Sequence, residues 1–141
     1  MGQLKNIAQA RAQFAYNKVA DLDNNTEMRK EFKSYVKDIP MMIRHNGLAA
    51  AFAFAFSKKD KGQGTYATIT RITQDWLQSQ AMVLEVDAEE FYGHLTTLDH
   101  QSYRRVTREV LALFTWLKRY ADGMIQEDQR EPLNEAAWKT T

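Results

Sequence analysis

The chain has 141 residues, no cysteine, two prolines, six glycines and a formal net charge of +1. That length suits one domain whose core folds without staples, and the missing cysteines exclude disulfides and a thiolate metal site. The near-neutral balance excludes a strongly basic nucleic-acid domain; the longest apolar run is about half a membrane span and no apolar leader is seen, so a soluble, cytoplasmic protein without membrane contact is expected.

Few turn formers and apolar residues recurring at intervals of three and four predict an all-α fold. The expected architecture is a compact single-domain bundle of about six helices around a buried central helix at 48–58. Residues 1–125 form the helical domain and 126–141 an acidic C-terminal tail. The first helix is expected at 4–22, with Leu4, Ile7, Ala8, Phe14, Ala15, Val19 and Leu22 on one stripe. Arg11 and Lys18 project from that stripe. They either bury their stems, with Arg11 pairing a carboxylate, or border a surface that meets an anionic partner.

Asp21-Leu-Asp23-Asn24-Asn25 reads as a turn. A calcium loop would need Gly and Glu where Thr26 and Phe32 stand, so calcium is rejected. Asn24 with Glu27 instead suggests a variant capping box. A second helix follows at 25–38, burying Met28, Phe32, Tyr35, Val36 and Ile39; Arg29, Lys30, Lys33 and Lys37 read as solvated charges offset by Glu27, Glu31 and Asp38. Pro40 predicts a break or kink at Ile39. A turn then leads to His45-Asn46-Gly47.

Leu48–Phe56 is the densest apolar run, and Ala favours a helix over a strand there. A helix apolar all round is a buried helix. Lys58-Lys-Asp-Lys61-Gly-Gln-Gly64 is expected to be a mobile basic loop; Gly62-x-Gly64-x-x-Ala67 lacks the strand that a dinucleotide fingerprint requires. Thr65 is expected to cap a fourth helix carrying Tyr66, Ile69, Ile72, Trp76 and Leu77. Asp87 with Glu90 repeats the capping pattern and opens a short helix at 88–97. Asp99 caps the last helix, 100 to about 125.

The last helix has two faces. Tyr103, Val106, Val110, Leu113, Phe114, Leu117, Ala121 and Met124 make a core stripe, while Arg104, Arg105, Arg108, Lys118 and Arg119 fall within about 140° on the other side. That cationic face is about 20 Å long; Asp122 shares it and Glu109 lies just outside. Beyond Gly123 the composition turns acidic, and Trp138 is available to dock.

No catalytic constellation emerges. His45, His94 and His100 make no metal motif such as H-E-x-x-H, and each reads as a surface or satisfied histidine. There is no nucleophile elbow, phosphate-binding loop or cysteine nucleophile. The carboxylates around Asp87 suit a helix N-terminus. No cofactor or metal is expected.

Three segments together resemble one family. The first is Ile39-Pro-Met-Met-Ile-Arg-His-Asn-Gly-Leu48, then the Ala/Phe run and Ser57-Lys58-Lys59. The second is Arg11 ahead of Phe14, Ala15 and Val19. The third runs from Tyr103-Arg104 through Glu109 to Trp116-Leu-Lys118-Arg119-Tyr-Ala121. They resemble the small subunit of the type III-B CRISPR ribonucleoprotein, the RNA-silencing Cmr complex. The resemblance implies an all-helical, non-catalytic subunit acting in antiviral defence. Its copies stack into a filament beside a backbone subunit that carries the guide RNA, with a large subunit as a further partner. The groove between filament and backbone holds the guide–target duplex.

RNA of any sequence must be held through its phosphates, by Lys and Arg. The expected RNA-binding residues are Lys58, Lys59 and Lys61 on the loop and Arg104, Arg108, Lys118 and Arg119 on the last helix, with Arg11, Lys18 and Arg44 beside them. Ser57-Lys58 and Lys118-Arg119 rest on matched motif positions; the others rest on charge geometry. The alternative is a helical protein–protein module without RNA contact.

Overall fold

The computed structural model describes residues 6–126, and every regular element among them is helical. In chain order these are α1 (Ile7–Ala20), α2 (Thr26–Asn46), α3 (Leu48–Ser57), α4 (Thr65–Ser79), α5 (Ala88–His94), a single 3-10 turn (Leu95–Thr97) and α6 (His100–Met124). Leu4 and the acidic tail from Glu127, with Trp138, lie outside the described residues.

α1 starts at Ile7 because Asn6 and Gln9 cap it reciprocally. The Gln9 N–H donates to Asn6 Oδ1 at 2.8 Å, and the Asn6 N–H donates to the Gln9 side chain at 3.3 Å. Ile7 itself is half-exposed, so the stripe that reaches the core is shorter than the periodicity suggests. α2 is capped by Asn25 rather than Asn24, its Oδ1 accepting the Met28 N–H at 3.0 Å.

α2 does not break at Pro40. The helix runs on to Asn46 with the proline inside it. An interior proline removes one helical hydrogen bond and costs about 3 kcal/mol. Ile39 and Ile43, both buried, continue the stripe of Met28, Phe32 and Val36 across that point. Burying each isoleucine contributes roughly 1.5–3 kcal/mol, so packing outweighs the local preference. Gly47 ends the helix, at φ +97°, where the Gly47 N–H donates to the Ile43 carbonyl at 2.8 Å.

α3 opens directly from Gly47. The Tyr103 hydroxyl of α6 accepts the Ala49 N–H at 2.9 Å, satisfying one orphan donor of the α3 N-terminus. A Cβ at Gly47 would crowd that hydroxyl. Leu48, Ala51, Phe52 and Ala55 are buried, but Phe54 and Phe56 remain 39% and 37% exposed. The apolar run therefore does not bury α3 on all sides. Its solvent face stays open, and the most enclosed helix is α4, which buries Tyr66, Ile69, Ile72, Trp76 and Leu77. α6 packs across α1, α2 and α4 with its core stripe in place, from Val106 to Ala121. Asp99 caps it, accepting the Ser102 N–H at 2.8 Å. That bond holds the Asp99 carboxyl below the usual carboxylate range.

α4 begins differently from expectation. Gly64, at φ +70°, occupies the cap position, and Thr65 is the first helical residue. Its buried hydroxyl turns away from the helix and donates to Glu31 Oε1 at 2.6 Å. At α5, Glu90 accepts the Asp87 N–H at 3.2 Å. The connection 81–87 is pinned from both sides. His94 Nε2 accepts the Leu84 N–H at 3.1 Å, while the Gln74 amide donates to the Val86 carbonyl at 2.9 Å. His94 is thus a satisfied histidine.

Candidate nucleic-acid interface

The expected cations do not form one surface. All but Arg11 and Lys18 separate into three groups, two of them on different flanks of α2.

The first group lies between α2 and α6. Lys37, Pro40, Met41 and Arg44 from α2 meet Leu111, Phe114, Thr115, Lys118 and Arg119 from α6 around a groove of about 230 Å³. At 100° per residue, Lys37, Pro40, Met41 and Arg44 share an arc of about 100°, so an unbroken α2 is required to bring Arg44 into line with Lys37. Lys37 faces Asp122 at 3.5 Å, both side chains about 45% exposed. An ion pair that exposed contributes little, leaving the ammonium available to an external anion. Arg44 also sits in the last turn of α2, where a cation complements the helix dipole. Four cations therefore line a groove with one carboxylate at its edge. Lys37 is absent from the sequence-based expectation because it reads there as one of four solvated charges that Glu27, Glu31 and Asp38 offset.

The second group is Arg104, Arg105 and Arg108. All three are exposed and line an open hollow of about 290 Å³ with Asp99, Gln101 and Ser102. They continue the α6 cationic face toward its N-terminus.

The third group is the lysine loop, and it is not a free loop. Glu31 of α2 accepts the Thr65 hydroxyl and, at 3.3 Å, the Gln63 N–H. Asn25 adds a bond to the Gln63 side chain at 3.2 Å. Gly62, at φ +55°, lies so close that a Cβ there would fall on the Glu31 carboxylate. The Lys58 ammonium lies 5.7 Å from the Phe54 ring centre and that of Lys59 4.8 Å from the Phe56 ring centre. Lys59 also faces Asp60 at 3.3 Å, and Lys61 is exposed. Glu31 stands about 120° around α2 from Lys37, so this loop and the α2–α6 groove look in different directions.

Arg11 and Lys18 belong to none of these. The Arg11 guanidinium makes a bidentate pair with Glu109, Nε to Oε2 at 2.6 Å and Nη2 to Oε1 at 3.0 Å. Trp76 Nε1 donates to the same carboxylate at 2.7 Å. Arg11 thus takes the carboxylate-pairing reading of the two left open by its position. Lys18 lies over the Phe14 ring at 5.3 Å and 3.7 Å from Asp75. The described residues hold no group of three His, Cys, Asp or Glu side chains able to bind a metal ion, and no helix among them is long and apolar enough to cross a membrane.

Fold and surface together define a small all-α protein whose core, among the described residues, is uncharged apart from one ion pair, with cations gathered on its outside. Residues 7–124 match the model of the family described as CRISPR-associated protein (Cas_Cmr5). A relative described as CRISPR system Cmr subunit Cmr5, from Thermus thermophilus, is 30% identical over 125 residues, covering 88% of this chain and all of the relative. The crystal structure of a CRISPR-associated Cmr5 family protein from the same organism superposes with a TM-score of 0.69 at 27% identity, covering 86% of this chain and all of that one. The chain belongs to the Cmr5 family of CRISPR-associated proteins.

Proposed function

We propose that this chain is a non-catalytic small subunit of a type III-B Cmr ribonucleoprotein in antiviral defence. It holds target RNA, or the guide–target duplex, through phosphate contacts that ignore sequence. Copies of it stack as a filament against the backbone and large subunits.

The observation that carries the reading is the α2–α6 groove, where Lys37, Arg44, Lys118 and Arg119 converge. Their side chains come from two helices that the core holds rigidly, and their heads are in water. Ammonium and guanidinium groups contact phosphate without reading bases. Arg104, Arg105 and Arg108 extend the same helix face. Arg11 is not part of this surface, because its guanidinium is committed to Glu109.

The test is binding of the purified chain, and of a reconstituted Cmr complex, to RNA of arbitrary sequence across a salt series. Each lost phosphate contact lowers the log–log salt slope by about 0.7–0.9. Arg44→Glu, Lys118→Glu and Arg119→Glu together should lower it by about 2–3 and weaken all sequences alike. A complex that holds RNA equally well with this triple variant would refute the groove. Absence of RNA contact both alone and in the complex would leave a protein–protein module.

A further inference from the structure

α3 carries two aromatic side chains that the other described residues leave partly open. Taking 100° per residue, Ala50, Ala53 and Ser57 fall on the solvent side between Phe54 and Phe56, an arc of about 160°. All five are exposed. Two rings therefore flank a strip of small side chains. Each ring is fixed from the core side. Phe54 meets Tyr66 edge-on at 5.6 Å, and Phe56 leans on Tyr92 at 4.7 Å. Each ring also has a lysine of its own, Lys58 over Phe54 and Lys59 over Phe56.

We propose that this edge of α3 is a stacking site for unpaired RNA bases, with Phe54 and Phe56 as platforms and Lys58 and Lys59 meeting the adjoining phosphates. This rests on the reading of the chain as an RNA-holding subunit, but it uses a surface separate from the α2–α6 groove and a contact to bases rather than to phosphates alone. A ligand that fits must present π-faces and negative charges in alternation, and single-stranded RNA does both. An apolar partner helix laid on the same strip would have to bury two ammonium groups.

The magnitudes favour exchange. An exposed lysine over a ring gains about two- to fivefold in an equilibrium constant, whereas a base stacked on an aromatic side chain gains about five- to a hundredfold. A base therefore displaces the ammonium from the ring, and the freed lysine turns to the neighbouring phosphate. The Glu31 bonds to Gln63 and Thr65 keep the loop beside the rings while this happens. Every base has a π-face, so the site is tolerant of sequence.

The test compares two labelled oligomers of equal length and charge, oligouridylate and an abasic ribose-phosphate chain. Both are titrated at low salt against the full chain and against Phe54→Leu/Phe56→Leu, which keeps apolar volume and removes the rings. Circular dichroism and thermal melting confirm the variant's fold. Wild type should bind oligouridylate at least tenfold tighter than the abasic chain. The variant should bring that ratio near one and leave abasic binding unchanged. A ratio near one in the wild type, or one the variant does not alter, overturns the stacking site while the phosphate reading stands. Failure of both oligomers to bind overturns the RNA reading itself and this inference with it. If the variant instead weakens association between copies and leaves the ratio intact, the rings serve a protein contact and the stacking site is wrong.

Discussion

Arg11 and Glu109 lie 98 residues apart in sequence and form a two-pronged, largely buried ion pair, with Trp76 donating to the same carboxylate. The side chains are only 13% and 9% exposed. One carboxylate thus joins α1, α4 and α6. Arg11→Ala would leave that carboxylate buried with a single donor, and breaking a buried pair in this way costs about 3–5 kcal/mol. Arg11→Leu with Glu109→Leu should cost clearly less, because the unpaired Trp76 N–H then accounts for about 1–3 kcal/mol. Urea unfolding of the three proteins checks the order. A single variant no worse than the double would show that the pair is dispensable.

At Pro40, inside α2, local backbone preference and packing disagree. Pro40→Ala restores the missing donor opposite the Val36 carbonyl. Part of the gain of about 3 kcal/mol is offset by a more flexible unfolded chain, so a net stabilisation of roughly 1–2 kcal/mol is expected. Thermal melting measures it. A destabilised variant would mean that the ring's own contacts in the α2–α6 groove matter more than the hydrogen bond.

Glu31→Ala removes the acceptor that holds Gln63 and Thr65. The expected loss is about 1–3 kcal/mol, since the buried Thr65 hydroxyl loses its partner. Its signature is local. Amide hydrogens of residues 58–64 should exchange faster while those of α6 keep their protection. Uniform acceleration across the chain would contradict a latch confined to the loop.

Burial pushes the Tyr66 phenol up from 10.0 to about 12, helped by Tyr35, Asp38 and Glu31 nearby. Below about pH 10 the folded and unfolded chains both keep this proton, and its contribution is fully present. Between about pH 10 and 12 the unfolded chain loses it first, so stability falls as pH rises through that window. Tyr66→Phe should flatten this part of the curve. Urea midpoints at about pH 9 and about pH 11 for both proteins provide the comparison; equal declines would exclude Tyr66 as a source.

What was legible in the sequence was local. The Asp99 cap and the Glu90 return bond to Asp87 depend on residues within one turn, and the stripes on α4 and α6 depend on spacing alone. The boundary errors are local too. Asn24 and Asn25 are both good caps, and only the backbone path decides which amide reaches Met28. The larger departures come from contacts between distant segments. The fate of Pro40 was decided by what Ile39 and Ile43 bury against, and the order in the 58–64 loop by Glu31, more than 30 residues upstream. Arg11 could not be assigned because its partner lies on the last helix. The candidate interface followed the same rule. Individual cations were visible, but the meeting of Lys37 and Arg44 with Lys118 and Arg119 required the helix to continue past a proline.

That unbroken helix has a geometric consequence. α2 stands as a partition wall about 10 Å thick, with Lys37 and Arg44 on one side and the Glu31-anchored loop on the other, and Met41 on the ridge between. A stiff rod lying along one side cannot bend round to the other within so short a distance. Under the proposed RNA-holding role, a duplex on one side and a loose strand on the other would therefore not compete for the same ground.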